Sequence, residues 1–250
     1  GITGSSAICD GETVTLNAEN VYSSYEWGYI DNNKQFQSYG VTTNSYTSGV
    51  LNNNMTFALK ATSNDDLKCP NQGVFDLVVK PRPTLALNTP SVCVGKSATI
   101  TVDKTKSKAD EYYYSADGNK YDATQSFTNY WTSPNTLDDA GKTYSFNFFA
   151  SLDGCVSTSA TTINITPNVL PEIKITAPNA VCANNNRVTL EATDNNNHAN
   201  TQFTWNWGTT TKTGATLDTT ISSQTTFRLT ATNNKGCTNS ATHVIKVNTP

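Results

Sequence analysis

Methionine, histidine and charge of either sign are all scarce in this 250-residue sequence. It contains one Met and two His, and only 15% of its residues are Asp, Glu, Lys or Arg. No apolar run approaches the roughly 20 residues that a membrane-spanning helix needs. The net charge of −3 gives no basic surface of the kind that binds nucleic acid. We therefore expect neither membrane insertion nor a nucleic-acid partner.

Groups that carry acid–base or metal chemistry are equally few. His198 lies in an Asn-rich turn and His243 in an alternating strand pattern, so a solvated and a structural role are expected. No CxxC or HxxxH spacing suggests a metal site, and no Gly-rich phosphate loop is present. The acidic pairs Asp65-Asp66 and Asp138-Asp139 lie in turn-like segments, where Ca²⁺ binding is the alternative to solvation. We predict no catalytic residue, no metal and no cofactor.

Thr and Asn are the commonest residues, and they occur in a repeating pattern. Thr favours pleated strands and Asn favours turns, so the composition indicates an all-β protein. Three units of roughly 80 to 90 residues follow one another, and each has one Cys near its start and one near its end. The opening cysteines are Cys9, Cys93 and Cys182, and the closing cysteines are Cys69, Cys155 and Cys237. The strand before each closing cysteine has alternating apolar residues, at 57–61, 144–148 and 227–231.

Proline-containing linkers separate the units. Pro81-Arg82-Pro83 is held near extended conformations, and Pro167 and Pro171 bracket the second linker. We therefore place domains at residues 1–83, 84–171 and 172–250. Short strands at turn-punctuated spacing predict a two-sheet β-sandwich for each. The aromatic residues expected in the cores are Trp27, Trp205, Tyr144, Phe57 and Phe227.

Six cysteines in repeat register indicate an oxidising compartment, because disulfides persist outside the reducing cytosol. No secretory signal peptide is recognisable, and linker-like sequence stands at both ends. We therefore expect a mature or excised piece of a longer extracellular protein.

The opening Cys-x-Gly, the third-strand Trp27 or Trp205 and the aromatic-initiated strand ending in Gly-Cys resemble the immunoglobulin-like and PKD-like repeats of Bacteroidetes cell-surface proteins. The resemblance covers the whole chain in three copies. In the second copy it is carried by Cys93, Gly95, Tyr144, Gly154 and Cys155. It implies three tandem immunoglobulin-like or PKD-like β-sandwich domains in an elongated array. Such repeats are found in SprB-like gliding-motility adhesins, many of which are type IX secretion substrates, and beside catalytic domains in secreted enzymes.

The function that this resemblance implies is structural and adhesive. The chain would be a repeat segment of a large secreted adhesin or filament on the cell surface, attached to the outer membrane and without catalytic activity. Its expected partners are neighbouring repeats of the same chain, together with surface glycans or other cells. The alternatives are spacer or accessory domains of a secreted multidomain enzyme, and a carbohydrate-binding module in the second repeat.

An immunoglobulin-like topology places the two cysteines of one repeat at opposite ends of the sandwich. Cys9 lies about eight residues before the antibody-type position, and Cys155 lies about ten beyond Tyr144. At about 3.3 Å per residue each displacement approaches a full strand, whereas a disulfide needs Cα atoms about 4.4 to 6.8 Å apart. In a head-to-tail array we therefore prefer bonds between neighbouring repeats, and the in-repeat scheme remains the alternative. The preferred bonds are Cys9–Cys155 and Cys93–Cys237, with Cys69 and Cys182 left for further repeats; the alternative bonds are Cys9–Cys69, Cys93–Cys155 and Cys182–Cys237.

The second unit has Tyr112-Tyr113-Tyr114 where its neighbours have Trp, and further aromatic residues follow. Tyr121, Tyr130 and Trp131 are the candidate ligand surface, because flat amphipathic rings stack on sugar faces. Packing in the core or against a sheet edge is the role that we favour for these rings, and ligand binding is the alternative.

Two modification signals are also present. Asp218-Thr219-Thr220 resembles the O-glycosylation triplet of Bacteroidetes, which makes Thr219 a candidate site. The triplets at Asn54 and Asn164 match the N-glycosylation pattern, which a bacterial source would leave unused.

Overall fold

The computed structural model describes residues 1–118 and 125–249, which form β-strands and contain no helix that could cross a membrane. These residues belong to two compact units. Unit 1 comprises Gly1–Leu87, Val102–Asn129 and Phe146–Thr162, and unit 2 comprises Asn88–Thr101, Tyr130–Ser145 and Ile163–Pro250. We use first, second and third repeat for residues 1–83, 84–171 and 172–250, whose boundaries remain a prediction. The first repeat lies in unit 1, the third lies in unit 2, and the second is divided between them.

The first repeat forms two sheets, as expected of an immunoglobulin-like sandwich. Its strands are β1 (Ile2–Thr3), β2 (Ala7–Cys9), β3 (Thr15–Ala18), β4 (Ser24–Ile30), β5 (Phe36–Val41), β6 (Ser45–Thr47), β7 (Met55–Thr62) and β8 (Pro70–Lys80). One sheet has the order β1-β3-β6 and the other has the order β2-β8-β7-β4-β5. Neighbouring strands are antiparallel except β2 and β8, which are parallel.

Aromatic side chains fill the core of the first repeat. Trp27 on β4 lies opposite Leu59 on β7, and both side chains are buried. The Trp27 indole N–H donates to the carbonyl of Thr43 at 2.9 Å, so its one polar group is satisfied inside the core. Phe57 is fully buried, and the Tyr46 ring packs against it at a centroid distance of 5.9 Å.

The third repeat has the same plan. Its strands are β17 (Ile173–Thr176), β18 (Ala180–Cys182), β19 (Arg187–Asp194), β20 (Gln202–Trp207), β21 (Thr210–Thr213), β22 (Thr216–Thr220), β23 (Thr225–Thr232) and β24 (Thr238–Asn248). The sheet orders are β17-β19-β22 and β18-β24-β23-β20-β21, again with one parallel pair, β18 and β24. Trp205 lies opposite Leu229 and donates to the carbonyl of Gly214 at 3.0 Å, while Phe227 is fully buried.

The second repeat has a similar plan, but two short strands, β15 and β16, stand where the other repeats have one long last strand. Its strands are β9 (Leu87–Asn88), β10 (Thr99–Val102), β11 (Glu111–Ser115), β12 (Ser126–Phe127), β13 (Tyr130–Thr132), β14 (Tyr144–Leu152), β15 (Cys155–Val156) and β16 (Thr161–Ile165). The sheets have the orders β13-β10-β9 and β12-β11-β14-β15, and β16 also pairs with β14. Together the three repeats make the chain an all-β protein of tandem immunoglobulin-like sandwiches.

The core of the second repeat departs from the sequence prediction at Tyr144, which is only half-buried. Phe146 and Phe148 are buried instead, and Phe148 lies opposite Tyr114 as Leu59 lies opposite Trp27. Tyr114 therefore holds the tryptophan position. Tyr144 starts its strand at the edge of the core, where its hydroxyl accepts the Asp139 N–H at 3.3 Å.

Candidate functional site

The first disulfide joins the first repeat to the second within unit 1. Cys9 ends β2 beside Lys80 of the parallel strand β8, and Cys155 begins β15. Their Cα atoms are 5.6 Å apart, within the range that a disulfide requires, and the sulfurs are bonded. This is the inter-repeat pair preferred from the sequence.

The second disulfide repeats this arrangement within unit 2. Cys93 bridges in parallel to Asn168 at the end of its own repeat, and Cys237 stands just before β24 of the third repeat. The two cysteines are bonded, with Cα atoms 5.6 Å apart. Cys155 and Cys237, the two closing cysteines that form these bonds, are each only 1% exposed.

Cys69 and Cys182 remain as free thiols, and both are exposed. They are the two cysteines that the inter-repeat scheme leaves over. None of the three in-repeat bonds is formed, because their partners are either bonded to another repeat or free.

Arg82 in the first linker is hydrogen-bonded to both of the repeats that the first disulfide joins. Its Nε donates to the carbonyl of Asp10 at 2.8 Å and its Nη1 donates to the carbonyl of Val156 at 2.7 Å. Its Nη2 forms an ion pair with Glu12 Oε1 at 3.2 Å. The planar guanidinium suits three acceptors held in fixed directions, and only 20% of the side chain is exposed. Arg82 therefore fixes the linker direction beside the Cys9–Cys155 bond.

The second linker is held by amide side chains rather than by arginine. Three Nδ2 groups of the third repeat each donate to a linker carbonyl at 2.9 Å. The pairs are Asn233 with Val169, Asn196 with Leu170, and Asn239 with Pro171. These three hydrogen bonds tie successive linker carbonyls to the third repeat, so the asparagines fix the path of the chain between the repeats.

Asp194 is the charged centre of this second junction, and its side chain is 4% exposed. Burial alone raises its pKa, but hydrogen bonds from His198, the Glu172 N–H, Thr201 and the Asn196 N–H together hold the pKa below its ordinary value. His198 Nδ1 lies 2.7 Å from Asp194 Oδ2. Because the Glu172 N–H belongs to the start of the third repeat, the carboxylate ties the linker end to the loop that follows β19.

Of the candidate ligand surface, Tyr130 and Trp131 lie on opposite faces of β13. Trp131 is buried at 8% exposure on β13 opposite Ile100, so its ring is not available for stacking on a sugar. Strand alternation explains this outcome, since Tyr130 on the opposite face is 62% exposed. Tyr121 lies outside the described residues. Trp131 therefore packs in the core, which is the role favoured from the sequence, and its candidate role as a ligand surface is not supported.

The remaining candidates take part in local structure. Asp65 and Asp139 each accept backbone N–H groups of their own turns, from Lys68 and Gly141. In the described part of the chain, no group of three or more His, Cys, Asp or Glu could hold a metal ion. His243 Nε2 lies 3.0 Å from the carbonyl of Pro178, so this histidine has a structural contact.

The candidate modification sites lie on or beside strands. Thr219 is half-buried on β22 and alternates with the exposed Asp218, so its side chain is on the same face as the buried Leu217. The Asn54 side chain accepts the Val79 N–H at 2.7 Å, and Asn164 Oδ1 accepts the Ser145 hydroxyl at 2.6 Å. Modification of Thr219 remains a prediction.

The sequence did not indicate Arg82 or Asp194 as junction residues. A proline on each side of Arg82 marks a linker, but its acceptors Asp10 and Val156 lie more than 70 residues away. Asp194 gave no signal, because an aspartate before an Asn-rich turn is ordinary in a loop.

No protein-family model matches the chain, and no curated protein matches its sequence. Among solved structures it is similar to the fibronectin(III)-like modules of Clostridium thermocellum CbhA, at 15% identity and a TM-score of 0.36, over 66% of this chain and 95% of that one. It is also similar to the FN1–FN3 domains of chicken CNTN1, at 7% identity and a TM-score of 0.31, over 98% of each chain. Likeness at this level assigns no function.

The strand order and the disulfides define the class of protein. The chain is a segment of tandem β-sandwich repeats, and covalent bonds join successive repeats in both compact units. Disulfides of this kind persist in oxidising surroundings, so the chain is a repeat segment of a protein that is exported from the reducing cytosol.

Proposed function

We propose that the chain is a load-bearing repeat segment of a large secreted adhesin or filament on a bacterial cell surface. Its task is to space and stiffen the protein and to present a binding region that lies elsewhere. The observation that supports this proposal is the bonding of two opening cysteines, Cys9 and Cys93, to the closing cysteine of the following repeat. Independent domains on flexible linkers need no such bonds.

The order of the two bonds limits how far the chain can be extended. A pulling force applied at the chain ends follows the shortest covalent path, which crosses from Cys9 to Cys155, returns to Cys93 and crosses to Cys237. Only about 85 of the 250 residues lie on this path, which corresponds to roughly 300 Å at about 3.5 Å per residue, compared with roughly 870 Å for the fully extended chain. The overlapping bonds thus prevent most of the segment from being drawn out.

Contacts beside each bond support the same role. Lys80 pairs with Asp153 at 3.2 Å next to Cys155, and Arg82 contacts the first and second repeats. Three asparagine–carbonyl hydrogen bonds likewise join the second linker to the third repeat, which carries Cys237. Both junctions therefore carry non-covalent contacts that restrict bending of the linker. Attachment to the outer membrane and contact with glycans or other cells belong to the same proposal.

Single-molecule force spectroscopy on the full chain tests the load-bearing role. We expect the oxidised chain to stop extending at about one third of the length that the same chain reaches with a thiol reductant. We also expect its repeats to unfold at higher force than those of the reduced chain. The double variant Cys69→Ser/Cys182→Ser is the matched control, and it should behave as the unmodified chain does. Equal unfolding forces with and without the reductant would contradict a load-bearing role.

A further inference from the structure

Tyr130 on β13 contributes little to the packed core of the second repeat. Its side chain is 62% exposed, whereas every other aromatic side chain in the described part of the chain is buried or half-buried. Within the same described residues, no hydrogen bond or ring contact involves the Tyr130 side chain. The neighbouring Trp131 fills the core from the opposite face of the strand. Packing therefore does not account for an aromatic ring at this position.

The other two repeats have a small hydroxyl residue at the position of Tyr130. In each repeat this position lies opposite the residue that follows a fully buried side chain of the central strand, which is Leu16, Ile100 or Leu190. Ser45 holds the position in the first repeat, and Thr216 holds it in the third. The strand pair forms in all three repeats, so it does not need the ring. Tyr130 is therefore particular to the second repeat.

Four exposed polar side chains share the outer face of this sheet with Tyr130. Thr132 is on the same strand, Thr99 and Thr101 are on β10, and Asn88 is on β9. The Thr99 and Thr132 hydroxyls lie 3.0 Å apart, and Asn88 Nδ2 donates to Thr101 Oγ1 at 3.2 Å. Tyr130 lies directly opposite Thr101, so the ring is a side-chain neighbour of this hydrogen-bonded group. All five residues belong to unit 2, and they form one uncharged face.

A flat ring beside hydroxyl and amide groups matches the two chemical characters of a sugar. One face of a β-linked glucose or N-acetylglucosamine ring is made of C–H groups, which pack against an aromatic face. The hydroxyls around the sugar rim need donors and acceptors, and threonine hydroxyls and the asparagine amide supply both. A stable protein interface, by contrast, buries about 800 Å² on each partner around an apolar centre. One ring is the only large apolar group among these five side chains, so a sugar fits the face better than a protein does.

We infer that Tyr130 and the polar side chains around it bind a neutral glycan built from β-linked glucose or N-acetylglucosamine units. A single stacked ring on an open sheet face gives weak binding. Such binding becomes strong when many copies on one surface contact a repeating glycan at the same time. The inference deepens the proposed function, on which it rests for placing the chain where glycans can reach it. A segment that spaces a surface protein would then also contribute contacts of its own.

An NMR titration of the full oxidised chain tests binding at this ring. The tyrosines carry an isotope label, and the Tyr130 signals are identified by their absence from the spectrum of Tyr130→Ser. Cellohexaose and chitohexaose are the probes. At least one of them should shift the Tyr130 signals, while the signals of the half-buried Tyr144 stay unchanged. If neither hexasaccharide shifts the Tyr130 signals, the inference is overturned.

Variants at Tyr130 separate stacking from contact elsewhere on the chain, with saturation-transfer NMR of the hexasaccharide as the measurement. Tyr130→Ser introduces the residue that the first repeat has at this position, so the chain should keep its urea midpoint but lose at least tenfold in affinity. Tyr130→Trp keeps a flat ring and should retain the affinity. Thr216→Ala, at the same position of the third repeat, is the matched control and should change nothing. Binding that survives Tyr130→Ser would overturn the site.

A second pair of substitutions tests the polar part of the face. Thr132→Val with Asn88→Ala keeps the ring but removes a hydroxyl and an amide, and it should lower the affinity several-fold. Unchanged affinity would overturn the role of the polar side chains. Self-association of the chain that is lost in Tyr130→Ser, without binding of either hexasaccharide, would identify the ring as a protein contact and overturn the inference. Both disulfides stay intact in every variant, so failure here leaves the proposed load-bearing role to its own force measurement.

Discussion

Single side chains at the repeat ends form hydrogen bonds with backbone groups of the linkers and of the neighbouring loops. Arg82 bonds to two carbonyls in different repeats, and Asp194 accepts the backbone N–H groups of Glu172 and Asn196. Removing Arg82 would leave the part-buried carbonyls of Asp10 and Val156 without these partners, which costs more than the net value of the hydrogen bonds. These residues fix the junction geometry at which the disulfides form.

The lowered pKa of Asp194 predicts an acid-sensitive second junction. A carboxylate whose pKa is lower in the folded state stabilises the fold above its unfolded pKa of about 3.9, and this stability is lost as the pH falls through the lower folded pKa. Asp194→Asn should destabilise the third repeat by about 1–3 kcal/mol at pH 7 and make its stability less dependent on pH below about 4. Urea unfolding from pH 2 to pH 7, followed by hydrogen exchange of third-repeat peptides, measures both effects.

Asp218→Asn is the matched control for this prediction. Asp218 is an exposed carboxylate in the same repeat, and it accepts a hydrogen bond from Thr189. That variant should keep the acid dependence of the unmodified chain. If the Asp194→Asn chain lost stability toward pH 2 as steeply as the unmodified chain, another group would have to account for the acid sensitivity.

The individual strands are the scale at which the sequence was most informative. Alternating apolar residues predicted the strands around Phe57 and Phe227, because one buried face imposes a period of two residues. The pattern was less informative at Tyr144 and Trp131. Tyr144 is on the same face as the buried Phe146, but as the first residue of its strand it lies at the edge of the core. At Trp131 the adjacent Tyr130 leaves open which face of the strand is buried, and pairing with β10 places Trp131 in the core. Register of this kind depends on partner strands that are distant in the sequence.

The pairing of β4 with β5 depends on one glycine. The register shifts between Trp27 and Gly28, and a Cβ at Gly28 would lie 2.1 Å from the Gln37 carbonyl oxygen and 2.7 Å from the Phe36 ring. Gly28→Ala should therefore destabilise the first repeat by about 1–3 kcal/mol, because β5 must move away from β4. Chemical denaturation gives the stability, and hydrogen exchange in residues 36–41 locates the disturbance.

Gly49→Ala is the control for the effect of glycine alone. A Cβ at Gly49 has no atom within 4 Å, and its backbone is not in the left-handed region. Its effect should stay within about 0.5 kcal/mol. Equal destabilisation by the two substitutions would show that close packing of β5 on Gly28 is not the cause of the lost stability.

Across the whole molecule, the position of each cysteine within its repeat decides which cysteines can meet. The opening and closing cysteines of one repeat lie at different ends of its last strand, as Cys9 opposite Lys80 and Cys69 before Pro70 illustrate. A bond must therefore reach an adjoining repeat. The pairing of the cysteines could be predicted from the sequence, because an immunoglobulin-like topology fixes the direction of each strand. The contacts of Arg82 could not, because they depend on which loops lie next to the linker.

Loss of one inter-repeat bond should weaken unit 2 while leaving unit 1 intact. The Cys93–Cys237 bond closes a loop with a sequence separation of 144 residues, and removing such a bond typically costs 2–5 kcal/mol, in part because the unfolded chain regains conformational freedom. In Cys93→Ser/Cys237→Ser, third-repeat peptides should exchange faster at low urea, while first-repeat peptides, held by Cys9–Cys155, should be unchanged. Cys69→Ser/Cys182→Ser, which breaks no bond, should match the unmodified chain in both repeats. Equal loss of protection in both repeats would mean that the two units unfold as one, and the two bonds would then act on a single cooperative structure.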